Sequence, residues 1–84
     1  MDYSDVVMQI CVELTSVWGG LAPQIMKRRF QEVGASMDNP TEDGLKLFIK
    51  LLEEKALVEM YGPELAKKKA SAYLRWVKNV RGAS

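Results

Sequence analysis

Residues 6–18 read VVMQICVELTSVW, and nine of these thirteen positions are apolar. The apolar positions recur at steps of three and four residues, which is the period of an amphipathic helix rather than the alternation of a strand. A surface helix of a small domain needs one apolar stripe of about 100° or somewhat more, and this stretch carries more than that. It therefore predicts a first helix that is either wrapped by the rest of its own chain or covered on a second face by another chain.

The remaining sequence predicts three more helices and no strand. Gly19-Gly20 ends the first helix because two glycines lose too much backbone entropy to remain helical. Thr41 is a helix cap, and Pro63 fits the first turn of a helix. We expect an all-α fold in which residues 1–84 form one compact, four-helix bundle-like domain that is dimeric. The expected helices cover about residues 4–18, 22–33, 42–60 and 63–81.

The composition excludes several kinds of chemistry. The chain of 84 residues contains no histidine, so it has no imidazole base, no histidine metal ligand and no Ser-His-Asp triad. Its one cysteine, Cys11, cannot form an internal disulfide or a CxxC metal site. The carboxylates of Glu42-Asp43 and Glu53-Glu54 point about 100° apart on a helix and do not converge on one atom. We therefore expect a protein that is not an enzyme, with no catalytic residues, no cofactor and no metal ion.

The N-terminal region is not typical of a targeting segment or of a membrane span. The chain starts with the acidic residues Asp2 and Asp5, where a secretory signal would be basic. The apolar run contains Glu13 and stops at Gly19, short of the roughly 20 apolar residues that a span needs. The sequence thus predicts a cytoplasmic protein with no membrane partner.

The net charge of +1 conceals an uneven distribution along the chain. Residues 1–22 contain three acidic residues and no basic one, whereas residues 63–84 contain six basic residues and one acid, a net charge of +5. Basic side chains neutralise phosphates and aromatic rings stack on bases, so the last helix is a candidate nucleic-acid surface. A solvated helix face competes with this hypothesis because cations are favoured near helix C-termini in any case. The nucleic-acid surface would consist of Lys67, Lys68, Arg75, Trp76, Lys78 and Arg81.

The excess of apolar surface on the first helix favours a protein partner. Oligomerisation often stabilises chains this short, and a two-fold homodimer is its simplest form. The sequence thus predicts a non-enzymatic helical protein-protein interaction or dimerisation module, with nucleic-acid binding as the alternative and a small ligand in a methionine-lined cavity as a weaker one. Trp18 is the expected anchor because tryptophan concentrates binding energy when it is desolvated. The interface would consist of Val6, Ile10, Glu13, Val17 and Trp18.

A short sequence pattern resembles a known kind of module. The stretch GGLAPQIMKRRF (residues 19–30), continued to Gly34, is similar to the turn and basic helix of small helical modules appended to bacterial and archaeal signalling proteins, such as serine/threonine kinases and Roadblock-type domains. The helix at Leu45–Leu52 also resembles one of theirs, although Gly20-Leu21 stands where those modules usually have Gly-Pro. The resemblance covers about half of the chain and implies a non-catalytic regulatory or signalling-associated module.

Overall fold

The computed structural model describes the backbone of residues 2–83 and the side chains of residues 2–80. This part of the chain is all α-helical and contains no β-strand, which confirms the predicted fold class. A 3₁₀ turn, Gly19–Leu21, joins the first helix to the second, and a π-helical segment, Glu53–Leu57, joins the third to the fourth. The helices are α1 (Tyr3–Trp18), α2 (Ala22–Glu32), α3 (Glu42–Leu52), α4 (Val58–Tyr61) and α5 (Pro63–Ala83).

The division into four separate helices is not confirmed. The α1 helix, the 3₁₀ turn and α2 follow one another without a gap, so the described chain has three continuous segments, 3–32, 42–61 and 63–83. The first segment bends, because a straight α-helix of its length would measure about 45 Å and the longest dimension of the molecule is 34 Å. Gly19 makes the bend with a φ of +59° and a ψ of −142°, a conformation that glycine adopts without steric cost.

The bent segment Tyr3–Glu32 meets the length and hydropathy criteria for a membrane-spanning helix, which residues 6–18 alone do not. By length and composition it could cross a membrane, with a mean hydropathy of 1.3 in its eighteen-residue window. The buried helix of a soluble protein passes the same test, and the bend divides this segment into α1 and α2, each shorter than the roughly 20 residues of a span. The absence of a membrane partner therefore stays a prediction.

The helix boundaries follow from short-range chemistry. At the start of α1, the Asp2 side chain accepts a hydrogen bond from the Asp5 amide and the Asp5 side chain accepts one from the Asp2 amide, both at 2.9 Å. This reciprocal pair is a capping box, and it satisfies two amides that have no partner within the helix. Thr41 caps α3 in the same sense, because its hydroxyl accepts from the Gly44 amide at 3.1 Å.

All the α-helices except the short α4 contribute buried apolar side chains to one core. Phe30 of α2 and Phe48 of α3 stack with ring centroids 4.0 Å apart, which joins the two helices on either side of the loop 33–41. In α5, apolar residues at steps of four and three residues predict one buried stripe, and each of its five positions is buried, namely Ala66, Ala70, Tyr73, Val77 and Val80. The buried core residues are Val6, Val7, Ile10, Leu14, Ala22, Met26, Phe30, Leu45, Phe48, Ile49, Leu52, Ala56, Leu57, Ala66, Ala70, Tyr73, Val77 and Val80.

A close approach at Gly44 leads to a testable prediction. A Cβ atom at this position would lie 2.9 Å from the Ala35 Cβ and 3.0 Å from the Thr41 hydroxyl oxygen. Glycine to alanine usually stabilises a helix by about 1 kcal/mol, but here the crowding reverses the sign. We expect Gly44→Ala to lower the free energy of unfolding by about 1–2 kcal/mol, measured by urea denaturation.

Two further variants serve as controls for this prediction. Gly20 has an open environment within 4 Å and no positive φ, so Gly20→Ala should be neutral or stabilising by up to about 1 kcal/mol. Ala35→Gly removes the methyl group that Gly44→Ala meets, so the double variant should recover most of the loss. A Gly44→Ala protein as stable as the wild type would contradict the prediction, because it would show that the loop 33–41 shifts away from the new methyl group without loss of stability.

Candidate interaction surface

The outer face of α1 exposes two large apolar side chains. Met8 is 65% exposed and Val12 is 67% exposed. They are four residues apart, so they lie one above the other on the same side of the helix. Scattered apolar residues are normal on protein surfaces, whereas neighbouring ones rimmed by polar groups are typical of interaction sites. We call this pair the Met8–Val12 ridge.

The structure corrects part of the interface that the sequence predicts. Val6 and Ile10 have no exposed surface at all, because both face the core from the inner side of α1. They are therefore not available to a partner in this fold. Val17 is 47% exposed and lies at the end of α1, and Trp18 is half-buried against the core.

Glu13 is half-exposed and belongs to a polar cluster that joins α1 to α5. The Tyr73 hydroxyl donates a hydrogen bond to the Glu13 carboxylate at 3.1 Å, and the Lys69 ammonium lies 3.9 Å from the same oxygen. Lys69 also sits over the Tyr61 ring, 4.7 Å from its centroid. The ring of Tyr73 is buried, so Glu13 supplies the partner that its hydroxyl needs.

The Tyr73 hydroxyl has a strongly perturbed acidity. Burial raises the pKa of Tyr73 well above its ordinary value, and the negative charge of Glu13 and the hydrogen bond to it raise the pKa further. All three causes disfavour the phenolate form. The cluster consequently holds Tyr73 as a neutral donor and does not activate it as a nucleophile or base.

A groove separates the Met8–Val12 ridge from α5. Trp76 of α5 is half-buried, and its ring lies 5.3 Å from that of Tyr73. The groove is lined by the exposed apolar ridge, a half-buried tryptophan and two acidic side chains. We call this the α1–α5 groove; its lining residues are Asp5, Met8, Gln9, Val12, Glu13 and Trp76.

The structure brings most of the predicted basic residues to one side of α5. Lys67, Lys68, Arg75 and Lys78 are exposed and lie within an arc of about 100° at an α-helical pitch. Among the described residues none of these four has a salt bridge, whereas Lys69 turns away to Glu13. Trp76 is outside this arc and faces the α1–α5 groove. The Arg81 side chain lies outside the described residues.

The described residues show no arrangement suited to metal binding, since no three His, Cys, Asp or Glu side chains come together where they could hold an ion. The four methionines in the described part of the chain do not surround a common cavity either: Met26 is buried in the core, Met8 is on the surface, and Met37 and Met60 are half-buried.

No family model, curated protein or solved structure matches the chain. The resemblance of residues 19–34 to signalling-associated modules therefore stays a prediction, and the surface has to be interpreted from its own chemistry.

The Met8–Val12 ridge could have been found from the sequence by one further step. Val6, Ile10 and Leu14 repeat at intervals of four residues and are all buried. Met8 and Val12 repeat at the same interval but lie on the other side of the helix. Because the first stripe fills the core, the second is the surplus that a partner would cover.

The Tyr73–Glu13 hydrogen bond leads to a prediction about alkaline stability. Tyr73 has a raised pKa in the folded chain, so it contributes stability below its ordinary value of 10.0 and loses it as the pH rises above that value. In the wild type this contribution should fall by about 1.4 kcal/mol per pH unit. Tyr73→Phe should lower the free energy of unfolding by about 1 kcal/mol near neutral pH. Above pH ~10, the free energy of unfolding of this variant should decline less steeply with pH than that of the wild type.

Urea denaturation between neutral pH and pH ~11 measures both effects, and the difference between the two proteins cancels the titration of the lysines and of the other tyrosines. Parallel curves above pH ~10 would contradict the prediction.

Proposed function

We propose that this chain is a non-enzymatic protein-protein interaction module that associates through the α1–α5 groove and its Met8–Val12 ridge. The single observation that carries the proposal is the exposure of Met8 and Val12 side by side next to Trp76. Covering such side chains removes apolar surface from water, which stabilises a complex by about 25 cal/mol per Å². We infer that the partner is a second copy of the chain.

The chemistry of the surface supports association over catalysis. Its polar groups are a hydrogen-bonded Glu13, an amide at Gln9 and the capping carboxylate of Asp5. Tyr73 contacts this cluster, and its pKa is raised. Its hydroxyl therefore stays protonated at neutral pH and does not act in proton transfer. An apolar ridge with a tryptophan at its side is instead typical of an interface, where aromatic anchors provide much of the binding energy.

The oligomeric state in solution tests this proposal. We expect sedimentation at about 100 µM to give twice the chain mass of 9.5 kDa. Val12→Asp should raise the dissociation constant at least about tenfold, because it places a carboxylate where the partner removes water. Far-UV circular dichroism should be unchanged, since the position is mostly exposed in one chain.

A matched control separates this effect from a general change in the surface. Leu47 on α3 is 51% exposed and lies outside the α1–α5 groove, so Leu47→Asp makes the same kind of change elsewhere. It should leave the dissociation constant unchanged. A wild-type protein that is monomeric at high micromolar concentration would contradict the homodimer.

A second candidate function rests on the basic arc of α5. Lys67, Lys68, Arg75 and Lys78 are exposed on one side of the helix, which is the pattern of a phosphate-binding surface. This candidate predicts a gel shift with duplex DNA or RNA that weakens with salt and is abolished by Lys68→Glu combined with Arg75→Glu. No shift at low salt would rule it out. It is second because Trp76, the expected stacking platform, lies in the groove instead.

The cellular setting is proposed on the sequence pattern alone. The resemblance of residues 19–34 to signalling-associated modules supports a regulatory role, and the single cysteine, which requires no oxidising compartment, is compatible with a cytoplasmic location. Both are consistent with a small module that acts by association.

A further inference from the structure

A second groove lies on the other side of α5, between that helix and α3. The segment 42–61 and α5 form a helical hairpin that turns at Gly62, whose φ is +83°, so α3 and α5 run antiparallel. Between them the surface has an open depression with a volume of about 940 Å³. We call it the α3–α5 groove, and it shares no lining residue with the α1–α5 groove.

The apolar part of the α3–α5 groove consists of Ile49 and Leu74. Ile49 has no exposed surface, whereas Leu74 is 40% exposed. Leu74 comes two residues before Trp76, so on a helix the two side chains point about 160° apart and face different grooves. Leu74 is therefore the apolar side chain of this groove that a partner can reach.

Exposed lysines line the groove on both helices. Lys46 and Lys50 are one turn apart on α3, and Lys78 is one turn after Leu74 on α5. All three lysines are exposed. Among the described residues, Lys50 and Lys78 have no salt bridge, so their ammonium groups are available to a partner.

The two acidic side chains of the groove, Glu42 and Glu53, are half-buried. The Glu42 carboxylate lies 3.5 Å from the ammonium of Lys46, so these two charges compensate each other. Glu53 then remains against Lys50 and Lys78, and the lining as a whole has three lysines and two glutamates, a net charge of +1. The charges that reach furthest into solvent are the positive ones.

The surface of α5 next to the groove continues the positive charge. It carries one acid, Glu64, and three exposed cations, Lys67, Lys68 and Arg75. On the α3 side, the exposed Asp43 and Glu54 do not line the groove. Acidic groups of a partner therefore find cations over the groove and toward α5.

The π-helical segment Glu53–Leu57 begins where the groove ends on α3. Such segments are rare in proteins and are frequent at functional sites. Its position favours a functional groove independently of the charges.

The walls of the groove restrict the conformation of a partner. Both walls are helices, whose backbone groups are hydrogen-bonded within the helix, so the groove has no strand edge with which an extended segment could pair. A helical partner satisfies its own backbone and presents apolar residues at intervals of three and four. A helix is therefore the segment that fits this groove.

We propose that the α3–α5 groove binds an acidic amphipathic helix of another protein. Apolar side chains of that helix cover Leu74, and carboxylates on its two flanks face Lys50 on one side and Lys78 on the other. Opposite charges across such a contact select the partner and its orientation. This inference goes beyond the proposed association, because it concerns a separate surface and a different partner.

Two other occupants fit this groove less well. A nucleic acid would gain nothing from Leu74, and Glu53 would repel its phosphates. A second copy of this chain would have to supply free carboxylates beside exposed apolar side chains. The two carboxylates next to the Met8–Val12 ridge already have partners, Asp5 in the capping box and Glu13 with Lys69.

A designed peptide tests the groove directly. The probe is a fluorescein-labelled peptide of about 18 residues, roughly 27 Å long as a helix. It has leucines at intervals of three and four residues, glutamates on both flanks, and alanine and glutamine on the outer side. At low salt, fluorescence anisotropy should give a dissociation constant below about 100 µM. Amide chemical-shift changes in the full chain should centre on residues 42–53 and 74–78.

Two changes in the groove should weaken binding of the probe for different reasons. Lys50→Glu combined with Lys78→Glu should raise the dissociation constant at least about tenfold at low salt, and this difference should fade at about 0.5 M salt. Leu74→Ala should raise it about fivefold at both salt concentrations, because it removes the exposed apolar contact. Far-UV circular dichroism checks that the variants fold.

Matched controls use exposed residues of the same types outside the groove. Lys27 on α2 is exposed, and Leu47 on α3 is 51% exposed. Lys27→Glu and Leu47→Ala should leave the dissociation constant of the probe unchanged. A peptide of the same composition in scrambled order should not bind, because it has no apolar face.

Three results would overturn the proposal. The first is no binding of the probe at about 100 µM, and the second is equal binding of the scrambled peptide. The third is a probe that Leu74→Ala does not weaken and that a DNA duplex of about 20 base pairs displaces, since the basic surface would then serve nucleic acid.

The Val12→Asp variant separates this proposal from the proposed association. It should bind the probe as tightly as the wild type, because Val12 is not part of the α3–α5 groove. A dimer that does not bind the probe would overturn this inference alone. A monomeric wild type that binds it would overturn the homodimer and support this inference.

Discussion

The hydrogen bond from Tyr73 to Glu13 joins positions sixty residues apart and fixes how α5 lies on α1. Tyr73 is one of the largest fully buried side chains, and its hydroxyl cannot be left without a partner inside the core. The register that satisfies it places Lys69 beside the same carboxylate and Trp76 next to the first turns of α1. The α1–α5 groove therefore lies in the register in which this buried hydroxyl has a partner.

The sequence predicts the helical stripes well and the accessible side of α1 poorly. The five-residue stripe of α5 and the cap at Thr41 depend on local spacing and short-range hydrogen bonds, and both are confirmed. The exposure of Val6 and Ile10 depends on which neighbours pack against α1, which the pattern of one helix does not contain. Because apolar residues occur on all sides of α1, their spacing does not show which side faces the core. The sequence therefore indicates a surplus of apolar residues but not which of them are exposed.

The boundary between α1 and α2 shows a second limit of local reasoning. Two glycines correctly mark a change of direction, but helical hydrogen bonding passes through a 3₁₀ turn instead of stopping. The Tyr73–Glu13 contact is beyond sequence reasoning for another reason. Its two partners carry no shared motif, and only the packing of α5 brings them together. The segregation of charge, in contrast, is visible in the sequence, and the structure adds that Asp5 and Glu13 line the α1–α5 groove whereas Lys68 and Arg75 lie on the outer side of α5.

The absence of histidine acquires a further meaning once the surface is known. The charged side chains that line the α1–α5 groove are the carboxylates of Asp5 and Glu13, and histidine, the side chain whose ordinary pKa lies between pH 5 and 8, is absent from the sequence. No imidazole is therefore present to switch a contact in the groove as the pH falls through that range. Ionic strength is a solution variable that does act on contacts made by its carboxylates.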